Sequence, residues 1–395
     1  MRVIDAKTFS PRRAGALALS AVLACNLVFP SIALAVVRVD ESELAQGTNE
    51  VGGGTATLSG SSLEMTGVNG ATFYTNEDLD ILFADGNEFD EAVVEDATVS
   101  MSFTGENGAE DIYALGDANV TVNADGHNEF EEINAYDRSS VTVKVTGEHD
   151  FESMVASDDA SIAVRGTSCQ RKDIINLGDG ESLTYIASER GDVTLDHVTV
   201  NVKADEAMIG SNEGGALTVD TSKVACDDDG YVLLFGGETS RIRESVIDIA
   251  GTIFGYGKLV IDHSDVKVVE PGPEHHEIFD HRIIGKDGIE LVNQKNGTVL
   301  AGSSGDEDLF FVDTDGNQGR SVDLKADGEP AYYKCKGENE EKQEEVEKSA
   351  AAPAVSLAAK ALPRTGDAGA PVAIVLAAAI LAGIAGFASR KREQH

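Results

Sequence analysis

The sequence predicts an all-β solenoid built from stacked coils of about 21 residues. Three observations predict it. First, apolar residues recur at a fixed period: Leu58, Leu79, Val99, Val120, Val141, Ile162 and Leu183 stand 20 or 21 residues apart. A second column (Met101, Val122, Val143, Val164, Tyr185) and a third (Val93, Ile112, Ile133, Met154, Ile175) run beside it. Second, each unit alternates apolar and polar residues, as in Asp117-Ala-Asn-Val-Thr-Val and Arg138-Ser-Ser-Val-Thr-Val. That is the two-residue period of a strand buried on one face. Third, Gly105, Gly126 and Gly147 share one column, where a corner needs positive φ. No long apolar stripe at helical spacing appears between residues 40 and 320. A pair of β-sandwiches would also use many short strands, but their strands and loops vary too much for a fixed period.

In chain order, residues 1–35 read as a secretory signal peptide. Arg2, Lys7, Arg12 and Arg13 precede an apolar run from Ala14 to Leu27, and Ala33-Leu34-Ala35 supplies the small-x-small cleavage site at Ala33 and Ala35. Residues 36–54 form a lead-in and 55–270 the repeats. Residues 271–333 lose the period and are expected to cap the open strand edge. From 334 to 361 the composition turns to Glu/Lys and then Ala/Pro/Ser, which cannot bury a core and reads as a linker. Residues 371–388 are apolar enough to span a bilayer, and the basic tail 389–395 holds that end in the cytoplasm.

Two resemblances follow from quoted residues. Leu362-Pro363-Arg364-Thr365-Gly366, a short spacer, the apolar segment and Arg390-Lys391-Arg392 resemble the sorting signal of cell-wall-anchored surface proteins of Gram-positive bacteria. The resemblance implies that sortase cleaves after Thr365 and joins it to peptidoglycan, with the membrane holding the chain beforehand. Further back, Val193-Thr-Leu-Asp-His-Val-Thr-Val, Leu217-Thr-Val-Asp-Thr-Ser-Lys-Val and Leu259-Val-Ile-Asp-His-Ser-Asp-Val pair two short strands around a polar bend. They resemble right-handed parallel β-helix proteins of the pectate-lyase-like kind. About ten coils at ~4.8 Å each would reach about 50 Å.

Charge narrows the partners. The chain carries 31 Lys+Arg against 69 Asp+Glu, a formal −38. Between residues 36 and 365 the counts are 24 and 66, a net of −42. Nucleic acid is excluded, since neutralising phosphate needs an excess of basic side chains, and the same balance argues against docking on anionic lipid headgroups. Cys169, Cys226 and Cys335 are odd in number and far apart, so no disulfide framework is expected. Cys226 ends a strand and reads as a small buried hydrophobe.

Glu91, Glu110, Glu131, Glu152 and Asp173 repeat at the coil period. Stacked about 5 Å apart, each neighbouring pair would repel by ~0.8 kcal/mol in bulk water. The column is either a solvated face or a set of oxygen ligands for Ca²⁺. No other cofactor is indicated. Asp313-Thr-Asp315-Gly316-Asn317 and Asp227-Asp228-Asp229-Gly230 read as Asp-Gly turns with some character of an ion site. His275-His276-Glu277 and Asp280-His281 lack metal-ligand spacing and read as an exposed loop. No nucleophile elbow, phosphate loop or dinucleotide fingerprint occurs.

The expected function is therefore that of a non-enzymatic adhesin or ligand-binding rod, its host or glycan ligand unidentified. A polysaccharide lyase or hydrolase is the alternative. Lyases of the resembling kind bind uronates through Lys/Arg, and a carboxylate-rich face repels a polyanion. A non-catalytic carbohydrate-binding module is a third reading. Trp is absent, so Tyr113 and Tyr136 would have to supply the stacking platform.

Overall fold

Where the sequence alternates, the chain is extended and its apolar side chains point inward. In Ser140–Ala156, Val141, Val143 and Val145 are buried, while Thr142 is half-buried and Lys144 exposed. The computed structural model describes residues 36–334 apart from 41, 85, 168–172, 179–182, 227–229, 273–280, 305–306 and 315–320. The signal peptide, the linker, LPRTG, the apolar segment 371–388 and the basic tail therefore lie outside the described residues. So do Cys169, Cys335, His275, His276, Glu277, Asp280, Asp227 to Asp229, and Asp315 to Asn317.

The described chain is all-β apart from one short helix, Ala331–Lys334, and winds into a β-solenoid of about nine turns rather than ten. Thr98–Leu115, Asn119–Ala135 and Ser140–Ala156 lie parallel and in register. Val99 stacks on Val120 and Val141, and Ile112 on Ile133 and Met154. The glycine column is a corner: Gly105, Gly126 and Gly147 have φ of 86°, 102° and 98°. In the later coils three short strands replace the long bent one. Val193–Asp196, Thr199–Val202 and Glu206–Ser211 stack on Leu217–Asp220, Lys223–Cys226 and Tyr231–Gly236. The polar bend between the first two strands holds His197, Thr221, Glu244, His263 and Asn293 at positive φ, one per coil.

The strict period ends sooner than the sequence columns imply. Ile162 stacks on Val193, not Leu183, and Val164 on Leu195, not Tyr185. Met154 meets Ile186 rather than Ile175, which pairs with His149. Extra residues between Gly166 and Ile174, and between Leu177 and Leu183, lengthen this coil. Because they fall between strands, the inward faces survive although the spacing changes. At the first coils Leu58 pairs antiparallel with Leu63, and Ala92 rather than Val93 stands over Ile112.

Large and small side chains complement each other inside. Phe103 shares a coil with Ala109, whereas Ala124 and Val145 share theirs with Phe130 and Phe151. Phe83 and Phe103 stack at 4.4 Å, Phe130 and Phe151 at 4.8 Å, and Phe103 meets Phe130 edge-on at 5.1 Å. One buried polar column is satisfied coil to coil. Asn107 donates to Asn128 (3.2 Å), and the Asn128 backbone N–H donates to His149 Nδ1 (3.3 Å). His149 Nε2 donates to the Thr146 carbonyl (3.1 Å), and burial pushes this imidazole below its ordinary range. Ser222, Ser245 and Ser264 form a second such column, each hydroxyl accepting a backbone N–H from the coil before it.

Antiparallel strands close both ends. Gly47–Val51 and Gly54–Ser59 are paired antiparallel ahead of Ser62–Thr66, which makes the first parallel pairing, with Leu79–Phe83. Ser321–Leu324 lies antiparallel on Asp265–Val269, and Glu307–Asp313 pairs with both Thr298–Ser304 and Ile283–Gly285. Such strands occupy edges that would otherwise recruit another chain.

Candidate functional site

Side chains that alternate outward on stacked coils form ladders, so the surface chemistry is set by register. Phe89 pairs with Ala109, which pairs with Phe130, which pairs with Phe151. Next to this buried row the chain exposes Asp90, Glu110 and Glu131, with Glu152 half-buried. An open cleft of about 630 Å³ lies along it. Its wall carries Glu88, Glu110, Glu129, Glu131, Asp150 and Glu152 over a floor of Ala109, Phe130 and Phe151. Among the described residues Lys203 also lines it. The Glu110 carboxyl is pushed above the usual carboxylate range, first by desolvation and then by Glu131, Asp90 and Glu88.

Of the five residues read from sequence as a calcium column, the structure brings together Glu110, Glu131 and Glu152. Glu91 stands one position along, paired with Asp111, and Asp90 fills the place beside Glu110. Asp173 is fully buried and accepts the Gly147 N–H at 3.2 Å. Glu91 is displaced because its coil is one residue longer than the spacing from Glu110 implies, and Asp173 because the next coil is extended. A cation on this face would therefore meet Glu110, Glu131 and Glu152 but not Asp173.

Beside this ladder runs a second one. Glu91, Asp111 and Glu132 are paired in register on the outer face. Two positions on is Tyr113, whose ring lies 6.4 Å from that of Tyr136 with 20° between the planes. Burial, and then the neighbouring Asp111 carboxyl, pushes the Tyr113 hydroxyl above its ordinary range. Desolvation, followed by Glu132, pushes Asp111 up to about 6. Folded Asp111 thus keeps its proton to about pH 6, whereas the unfolded side chain loses it near pH 4. Its contribution to stability is full below about pH 4 and is lost as pH rises through about 6. Asp111→Asn is expected to raise the melting temperature at pH 7.5, by the equivalent of about 0.5 kcal/mol once solvent screening is allowed for, and to leave it unchanged near pH 3.5. A gain of equal size at both pH values would assign the effect to packing.

Other residues from the sequence reading are also described, Asp313 among them, paired with Thr298 at the end of its strand. Cys226 is half-buried against the core, and its sulfur accepts the Ala250 N–H at 3.1 Å. His281 stacks on Phe311 at 3.9 Å with the rings 2° from parallel. Sequence reasoning missed His127, Glu129 and Asp150, whose ligand atoms lie within 4.8 Å of one another. The coil period that links Glu129 to Asp150 was the signal available.

No helix among the described residues is long and apolar enough to cross a membrane. The β-solenoid and the sorting tail together define a class: a cell-wall-anchored surface protein. Residues 356–395 match the LPXTG cell wall anchor motif family. That motif marks secretion, sortase processing and covalent attachment to the Gram-positive cell wall. Neither a curated protein nor a solved structure matches the chain.

Proposed function

We propose that the protein is a non-enzymatic adhesin whose solenoid binds a cationic ligand, such as a Lys/Arg-rich segment of a partner protein, along its acidic cleft. The observation that carries this reading is the convergence of six carboxylates on one open cleft of about 630 Å³. Solvent-exposed carboxylates at coil spacing create a continuous negative potential, which attracts a polycation and repels a polyanionic glycan. A second reading, glycan binding or hydrolysis, is favoured by the paired rings of Tyr113 and Tyr136 beside Asp111 and Glu132.

The test is retention on the immobilised full chain. Basic peptides are expected to bind, to elute with salt, and to bind more weakly to the Glu110→Gln/Glu131→Gln double variant. Screening over a Debye length of about 8 Å at physiological ionic strength accounts for the salt effect. Retention of neutral glycans by the intact chain but not by Tyr113→Ala would favour the second reading. Release of reducing sugar from a glycan panel would overturn the non-enzymatic assignment.

A further inference from the structure

We propose that His127, Glu129 and Asp150 form a binding site for one divalent transition ion of the zinc type. The topology assembles them. His127 and Glu129 lie two residues apart on Asn119–Ala135 and are both exposed. Asp150 is the in-register partner of Glu129 on the next strand, Ser140–Ala156.

His127 Nε2 is 3.6 Å from Asp150 Oδ2 and 4.0 Å from Glu129 Oε1. Both separations are too long for hydrogen bonds. They suit two ligands of one ion, because zinc sits about 2.0–2.2 Å from each nitrogen or oxygen donor.

The orientation of each ligand is set by its neighbours. His127 Nδ1 lies 3.2 Å from the Glu148 carbonyl oxygen. Donation of Nδ1–H to that carbonyl leaves Nε2 as a lone pair aimed at the two carboxylates. Three acceptors then face one point with no donor among them, an arrangement that a cation relieves. Asn176 donates to Asp150 Oδ1 at 2.9 Å, which turns Oδ2 toward the histidine. Partners of this kind beyond the ligands orient them and raise metal affinity.

The donor set chooses the ion. One imidazole nitrogen and two carboxylates suit zinc and its neighbours, whereas Ca²⁺ takes oxygen ligands. The site therefore differs in chemistry from a calcium ladder along Glu110, Glu131 and Glu152. With three protein ligands on an exposed face, the remaining position is open to water or to a donor from a partner. Glu129 and Asp150 also border the acidic cleft, but the triad stands on its own geometry and does not depend on what the cleft binds.

Calorimetric titration of zinc chloride and calcium chloride into the full chain tests it. The expected result is one zinc per chain that calcium in moderate excess does not displace. His127→Ala, His127→Gln and Asp150→Asn should abolish it, with melting curves establishing that these surface variants fold. Asn176→Ala should weaken it about tenfold. Glu64→Gln, on an exposed position of a separate strand, should leave it unchanged. Zinc uptake that survives both His127 variants, or that calcium displaces at equal concentration, would overturn the site and assign the ions to diffuse surface charge.

Discussion

Gly126→Ala is expected to destabilise the solenoid by about 3 kcal/mol, combining backbone strain with a steric clash. The backbone at Gly126 has φ of 102°, and a Cβ built there would lie 2.5 Å from the Gly105 carbonyl oxygen. That oxygen belongs to the coil below and cannot swing aside as a side-chain tip can. Relief requires the two coils to separate at their shared corner, where Gly105, Gly126 and Gly147 stack. Gly60→Ala is the control. Its φ is 61° and no atom lies within 4 Å of its Cβ position, so it should cost only about 1 kcal/mol for the left-handed conformation. Denaturant melts of the two variants separate strain from coil contact. Equal losses would show that stacking at the glycine corner is not tight.

The second large effect is on location. Thr365→Ala is expected to reduce the peptidoglycan-linked fraction to background, leaving the chain in the membrane or the medium. Residues 356–395 match the wall-anchor family, and the resemblance of Leu362 to Gly366 to a sorting signal implies cleavage after Thr365. The measurement is release of the chain by a peptidoglycan hydrolase from cells carrying either form. The solenoid's melting curve should not change, since its described strands run from Val37 to Leu324 and the motif lies beyond them in the sequence. Wall-linked Thr365→Ala protein would mean that another segment is joined to the wall.

The coil stack was legible because stacking makes the sequence redundant. Val99, Val120 and Val141 are one position repeated, and Gly105, Gly126 and Gly147 are one corner repeated. The same redundancy runs through Asn107 and Asn128, a pairing the sequence offered at the coil period and hydrophobic columns alone overlooked. Legibility ended where coil length changed. Leu183 kept the period of Ile162 in sequence but lost its place in space, because the coil between them is longer. Asp173 failed for the same reason, and its carboxylate serves the backbone of Gly147 inside the stack.

By itself, the sequence determined that the chain is exported, is joined to the wall and builds its middle from parallel coils. These properties are written in contiguous motifs or in a period, and neither requires knowing which residues meet. Only the tertiary structure decided which carboxylates face one another, that Asp111 shares its face with Glu91 and Glu132, and that His127 reaches Asp150 across a coil boundary. Those contacts depend on the register between coils. A residue gained at a corner changes the sequence spacing between stacked partners, while the alternating pattern along each strand stays the same.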